Sequence, residues 1–362
     1  MSAKQIMVYV GTYTARTTSE GIYVYTMDPD TGAWTFKGVG KGLPNPSFLA
    51  IHPSGRYLYA ANEMGEFEGK PGGGVSAFAI APETGALTFL NGQSSVGQGP
   101  CHISVEKTGR YAMVANYVGG NVAMLPILED GKLAPASDFH QHEGSSVDPK
   151  RQTKAYAHSI TPDPNNRFAL AADLGMDKVM IYKLDLANGK LVSNVPAYGQ
   201  LQAGAGPRHL AFHPNGQWVY VIAELDETVT AFAYNSVLGE MTAFQHISTL
   251  PADFQGTSYC ADIHIAPSGK FLYGSNRGHD SIVIMAINPA NGELSTVGYE
   301  PTRGKFPRNF ALDPPGNYHY AANQNSNNIV AFKVDQATGK LTPTGQIIEV
   351  PMPGCVKMLT LA

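Results

Sequence analysis

An all-β fold built from seven copies of one sheet unit is what this sequence predicts, and three observations carry the prediction. An apolar run of strand character ends in a polar residue seven times, at Thr12, Asn62, Asn116, Asp173, Glu224, Asn276 and Asn323, with copies about fifty residues apart. A glycine turn recurs at Gly32, Gly85, Gly131, Gly189, Gly239, Gly292 and Gly339, each followed two positions later by an apolar residue: Trp34, Leu87, Leu133, Leu191, Met241, Leu294 and Leu341. A second turn precedes most copies of the polar-ended strand, as Pro53-Ser54-Gly55, Lys107-Thr108-Gly109, Pro164-Asn165-Asn166, His213-Pro214-Asn215-Gly216, Pro267-Ser268-Gly269 and Pro314-Pro315-Gly316. A period of this length, filled with strand patterns and turn residues, is the signature of a seven-bladed β-propeller.

The unit is clearest in its fifth copy. Pro207–Phe212 reads as strand A, His213–Gly216 as a turn with glycine where φ is positive, and 217–224 as strand B. Strand C spans 228–234, and strand D spans 241–247 beyond Gly239. The first copy starts at strand B, 6–14, with no strand A before it. A matching strand A stands unused at the other end, Pro353-Gly354-Cys355-Val356-Lys357-Met358-Leu359. It is expected to pair with 7–14 and close the ring, removing two open sheet edges. Two stretches exceed the unit: 65–74 in the B–C loop of the second copy and 139–154 between the third and fourth. Blade junctions are loops, so residues 1–362 are read as a single domain.

Composition agrees. Hydrophobic residues make up 43% of the 362 residues, enough for a sheet core, while charged residues are only 15% and Gly (39) and Pro (25) are plentiful, as turns require. A net charge of -4 leaves no basic field for nucleic acid. Three cysteines without framework spacing fit a reducing compartment. No apolar run reaches membrane-span length, and 1–5 is short and polar, without a leader pattern. The expectation is a cytoplasmic protein, monomeric or weakly homo-oligomeric, without membrane or nucleic-acid partners.

In a propeller the start of strand A and the end of strand B share one face near the central channel. The A column reads Phe48, His102, His158, His209, Asp262, Asn309 and Cys355, and the B column is the polar series above. Arg208 and Arg308 flank the first column, and Arg277 follows Asn276 in the second. Asn62, Asn116 and Asn323 are assigned to turn formation, and His102 alone would be a core histidine. Glu224 is a poor turn former and is expected to face Arg208. Zinc on His102, His158 and His209 is disfavoured: ligands must reach within about 2 Å of one point, and three arginines oppose a cation. Those arginines point to an anion, which guanidinium grips in a bidentate fork. In the 139–154 insertion, Lys150, Arg151 and Lys154 are read as a wall that helps retain it. No metal or cofactor is expected, and the three cysteines are read as core.

Several stretches together resemble one family: Arg151-Gln152 followed by Ala157-His158-Ser159, Gly206-Pro207-Arg208-His209-Leu210 with His213-Pro214, Glu224, Ser275-Asn276-Arg277-Gly278, and Phe306-Pro307-Arg308-Asn309-Phe310. The chain is similar over its whole length to the seven-bladed propeller lactonases, which include propeller-type 6-phosphogluconolactonases and carboxymuconate lactonizing enzymes. The resemblance implies that His158, Arg208, Glu224 and Arg277 are catalytic, without cofactor. Tyr156 departs from it, standing where many relatives carry histidine before Ala-His-Ser.

The leading expectation is hydrolysis of a sugar lactone, 6-phosphogluconolactone above all. His158 or Glu224 would be the base, with His158 favoured because an adjacent arginine lowers the basicity of Glu224, and Arg208 would stabilise the oxyanion. His102, Arg151, His209, Asp262, Arg308 and Asn309 are expected to bind substrate. Two alternatives stay open. One is a muconate-type cycloisomerase, whose arginines would hold carboxylates. The other is a non-catalytic, protein-binding propeller, against which the convergent charges count.

Overall fold

Seven four-stranded antiparallel sheets follow one another around the chain in the computed structural model, which describes residues 5–361. The polar start, 1–4, lies outside the described residues. Six sheets take four strands consecutive in the chain, apart from a small hairpin (Glu66–Phe67 with Lys70–Pro71) inserted between strands B and C of blade 2. Blade 1 combines Ile6–Thr12, Gly21–Met27 and Trp34–Lys41 with Pro353–Thr360, whose register runs from Ile6 opposite Thr360 to Gly11 opposite Cys355. The unused strand A therefore closes the ring as expected.

The strand B segments show why the polar-ended runs are so apolar. Tyr57–Asn62, Phe168–Asp173, Trp218–Ala223 and Tyr318–Asn323 are buried along their whole length, because neighbouring blades cover both faces. Outer strands such as Trp34–Lys41 are exposed or half-buried beyond their first residue. The glycine turns lock blade to blade. Their φ angles lie between 64° and 82°, where a Cβ is strained. A Cβ on Gly292 would also stand 2.5 Å from the Trp218 ring of the preceding blade. Five tyrosine hydroxyls donate to these turns across blade interfaces: Tyr9 to Gly85 O, Tyr59 to Gly131 O, Tyr220 to Gly292 O, Tyr273 to Gly339 O and Tyr320 to Gly32 O.

The strand register revises both residue columns. Pro46, Pro100 and Pro307 stand opposite Asn62, Asn116 and Asn323, and Ala157 stands opposite Asp173. Pro207, however, stands opposite Ala223. Glu224 therefore lies one residue beyond the asparagine position, at the level Arg277 holds in blade 6. The reading that Glu224 replaces an asparagine is corrected: alanine does, and the nearest polar residue imitated the repeat. The second correction concerns strand A. Five inner strands carry an extra residue next to the first pair, at Ser47, Cys101, His158, Arg208 and Arg308. Bulges of this kind re-aim side chains beside functional sites. His158 thus belongs with Arg208 and Arg308, not with His102 and His209, whose place in blade 4 is taken by Ser159. The 139–154 stretch is also not all loop, since Asp138–Gln141 forms the outer strand of blade 3.

Candidate active site

Asparagines at the strand B ends hold the scaffold of the channel mouth. Asn62, Asn116, Asn276 and Asn323 each donate to a carbonyl of the connection entering their own blade, at Pro44, Ser95, Thr249 and Thr302. Side-chain bonds of this kind satisfy buried backbone acceptors. The residues just beyond them, and the bulge residues, face the mouth.

One wall is built by blades 4 to 6 around Glu224, which is 5% exposed. Arg151 Nη2 donates to its Oε1 at 2.5 Å, Arg277 Nη2 donates to Oε2 at 2.6 Å, and Arg208 Nε lies 3.2 Å from Oε2. Burial alone would raise the Glu224 pKa; Arg277, Arg208 and Arg151 outweigh it and hold the carboxyl at about 2. Arg277 is fixed further by the carbonyls of Cys260 (2.8 Å) and Tyr259 (3.3 Å), with its guanidinium over Phe306. Arg208 is 2% exposed, and its Nη1 donates to Ala261 O and lies 3.3 Å from His209 Nε2. Burial and the neighbouring Arg277 and Arg308 lower its pKa to about 10, so it stays charged at neutral pH.

His158 sits between this wall and the aromatic rim, its ring 5.2 Å from Tyr117 and 5.5 Å from His209. Burial, then Arg208 and His209, push its pKa well below the usual imidazole value, so the ring is neutral. Tyr156 lies on Tyr117 at 4.9 Å and bonds Thr153 through its hydroxyl. The departure at this position therefore places an aromatic rim.

The opposite wall comes from blades 1, 2 and 7. Tyr13 Oη donates to Glu63 Oε2 at 2.6 Å, and Ser47 Oγ donates to the same oxygen at 3.0 Å. Arg308 lies over the Tyr13 ring, with Nη2 3.9 Å from Glu63. Its side chain is 18% exposed and makes no hydrogen bond to the protein among the described residues. Gly354 in the closing strand leaves room for this wall; a Cβ there would stand 3.3 Å from the Tyr13 ring.

The chain belongs to the seven-bladed β-propeller lactonase family. The family model described as "Lactonase, 7-bladed beta-propeller" matches residues 7–358. A Bacillus subtilis protein named 6-phosphogluconolactonase is 38% identical over 351 residues, 97% of each chain. A Formosa agariphila protein of the same name is 36% identical over 310 residues, 84% of this chain and 86% of its own. The solved structure of a Pseudomonas aeruginosa periplasmic gluconolactonase superposes with a TM-score of 0.93 at 34% identity, covering 99% of this chain and all of that one.

Of the residues expected from this lactonase sequence, the mouth brings together His158, Arg208, Glu224, Arg277, Arg151 and Arg308. Lys150 is exposed on the loop, and Lys154 caps Val118 O at the rim. His209, Asp262 and Asn309 form a bonded layer beneath: His209 Nδ1 is 2.8 Å from Asp262 Oδ1, while Asn309 donates to Oδ2 and accepts from Val356 N. They reach the mouth through Arg208. His102 belongs with His209, Asp262, His264 and Lys357 to a cavity of about 580 Å³ at the far end of the channel. Tyr13, Glu63 and Tyr117 were not anticipated. They follow Thr12, Asn62 and Asn116 as Arg277 follows Asn276, and that shared offset is the signal that would have found them.

Proposed function

We propose that this propeller, acting as one domain over residues 1–362, hydrolyses a sugar δ-lactone at this mouth, with 6-phosphogluconolactone as substrate. The observation that carries the reading is a buried imidazole, His158, in the same bulge row as the buried guanidinium of Arg208. Neutral His158 takes a proton from water as the oxygen attacks the lactone carbonyl. The tetrahedral oxyanion forms against Arg208, pre-oriented by Ala261 O and by its contact with His209. Collapse breaks the ring C–O bond, the ring oxygen takes the proton back from His158, and the open-chain acid leaves. Glu224, charged at any pH above about 2, has little basicity. Its part is to hold Arg151, Arg208 and Arg277 in register.

Arg308, whose guanidinium makes no hydrogen bond to the protein among the described residues, takes the phosphate. Its test is Arg308→Ala on 6-phosphogluconolactone and on unphosphorylated gluconolactone. The expected result is a KM rise of about tenfold or more confined to the phosphorylated substrate. Equal KM on both substrates in wild type and variant would remove Arg308 from this role. Three free, buried cysteines fit a cytoplasmic enzyme of sugar-phosphate metabolism, monomeric or weakly homo-oligomeric.

A further inference from the structure

The mouth holds two carboxylates with opposite circumstances. Both oxygens of Glu224 are taken by guanidinium groups. Glu63 has one oxygen engaged and one open. Tyr13 and Ser47 both donate to Oε2, and Oε1 makes no hydrogen bond among the described residues. The Glu63 side chain is 28% exposed.

Its backbone is pinned as well. Glu63 N donates to Asn45 O at 3.0 Å, and Asn45 Nδ2 donates back to Glu63 O at 3.0 Å. Asn45 in turn accepts from the Thr14 and Ala15 amides through Oδ1. The carboxylate is therefore fixed from blades 1 and 2, and its open oxygen is pre-oriented.

A carboxylate beside an anion site carries chemical information. It repels a second carboxylate and accepts strongly from hydroxyl groups. We infer that Glu63 is the specificity determinant of this mouth: its free oxygen accepts a hydroxyl of a polyhydroxylated lactone and excludes substrates that bring a second carboxylate there. This rests on the lactonase reading above and deepens it. A polyol lactone with one anionic group fits both Arg308 and Glu63, whereas an unsaturated dicarboxylate satisfies Arg308 and meets Glu63 with like charge.

The test compares kcat/KM on glucono-1,5-lactone, which carries ring hydroxyls, and on δ-valerolactone, which has none. Wild type, Glu63→Ala and Glu63→Gln are measured, each with a folding check and a correction for spontaneous hydrolysis. A hydrogen bond to a charged group is worth about tenfold to a hundredfold. Glu63→Ala should therefore lose about that much more on gluconolactone than on δ-valerolactone, with a smaller differential loss for Glu63→Gln, which keeps one acceptor. Muconolactone, a lactone bearing a carboxylate, should gain relative to gluconolactone in both variants. Parallel losses on the two lactones, or no loss in either variant, would overturn the assignment. A wild type that hydrolyses no lactone would instead bring down the lactonase reading itself, and this inference with it.

Discussion

Glu224→Gln is the substitution that most fully exercises the architecture of the mouth. The carboxylate it removes is buried and shared by Arg151, Arg208 and Arg277. Two routes give its magnitude. Breaking a buried ion pair by removing one partner costs about 3–5 kcal/mol. Independently, holding the carboxyl at about 2 instead of 4.5 corresponds, at about 1.4 kcal/mol per pH unit, to roughly 3 kcal/mol. The unfolding entropy of a chain this long is about 0.76 kcal/mol per kelvin, so a loss of about 3–5 kcal/mol should lower the Tm by about 4–7 °C at pH 7. The sign of the pH dependence follows from the direction of the shift. A depressed carboxyl stabilises the fold above its unfolded value of 4.5 and loses that contribution as pH falls toward 2. The gap between wild type and variant should therefore be full at pH 6–8 and narrow on acidification below pH 4.5. Thermal melts of both proteins across that range provide the assay. A Tm within 1 °C of wild type at pH 7, or a gap that persists unchanged to pH 3, would refute the three-arginine hub.

Further predictions follow from residues elsewhere in the ring. His319 is fully buried, makes no hydrogen bond through either ring nitrogen among the described residues, stacks on Phe310 at 4.6 Å and has its pKa pushed by burial to about 3. The unfolded chain protonates it first, so it costs stability as pH falls from about 6.5 toward 3; His319→Phe should raise the Tm at pH 5 more than at pH 8, and an equal change at both would contradict this. Deleting residues from Pro351 onward strips the closing strand from Ile6–Thr12 and should lower the Tm and solubility of the whole propeller; an unchanged melt would contradict the closure. Tyr220→Phe removes one interblade bond, to Gly292 O, and should cost about 1 kcal/mol in urea unfolding, against no measurable change if the latch is idle.

The fold was legible because a propeller writes its architecture repeatedly. Seven glycine turns and seven polar-ended strands state the blade number, and the spare strand at Pro353 states how the ring closes. The candidate site was legible in the residue types that meet at the mouth but not in their placement. The bulge in strand A adds a residue without leaving a mark in the hydrophobic pattern, so His158 and His209 looked equivalent when only His158 shares the row of Arg208. In blade 5 the scaffold asparagine is Ala223, and Glu224 filled the vacant place in the repeat while standing one step further along. Tyr13, Glu63 and Tyr117 went unseen because each follows a residue that reads as the end of a strand, and a side chain in a loop gains meaning only once seven loops are brought around one axis. Likewise, nothing in the sequence separates Arg308, left without a side-chain hydrogen bond among the described residues, from Arg277, which is anchored on both sides.

The measurement that bears most directly on the central claim is steady-state turnover of 6-phosphogluconolactone, followed by acid release in weak buffer and corrected for spontaneous hydrolysis, for wild type beside His158→Ala and Arg208→Ala. Wild type should turn over the lactone, His158→Ala should lose about a hundredfold to ten-thousandfold in kcat, and Arg208→Ala about a hundredfold to a thousandfold, with both variants folded. Near-native turnover in both folded variants, or no enzymatic acid release from wild type, would contradict the account.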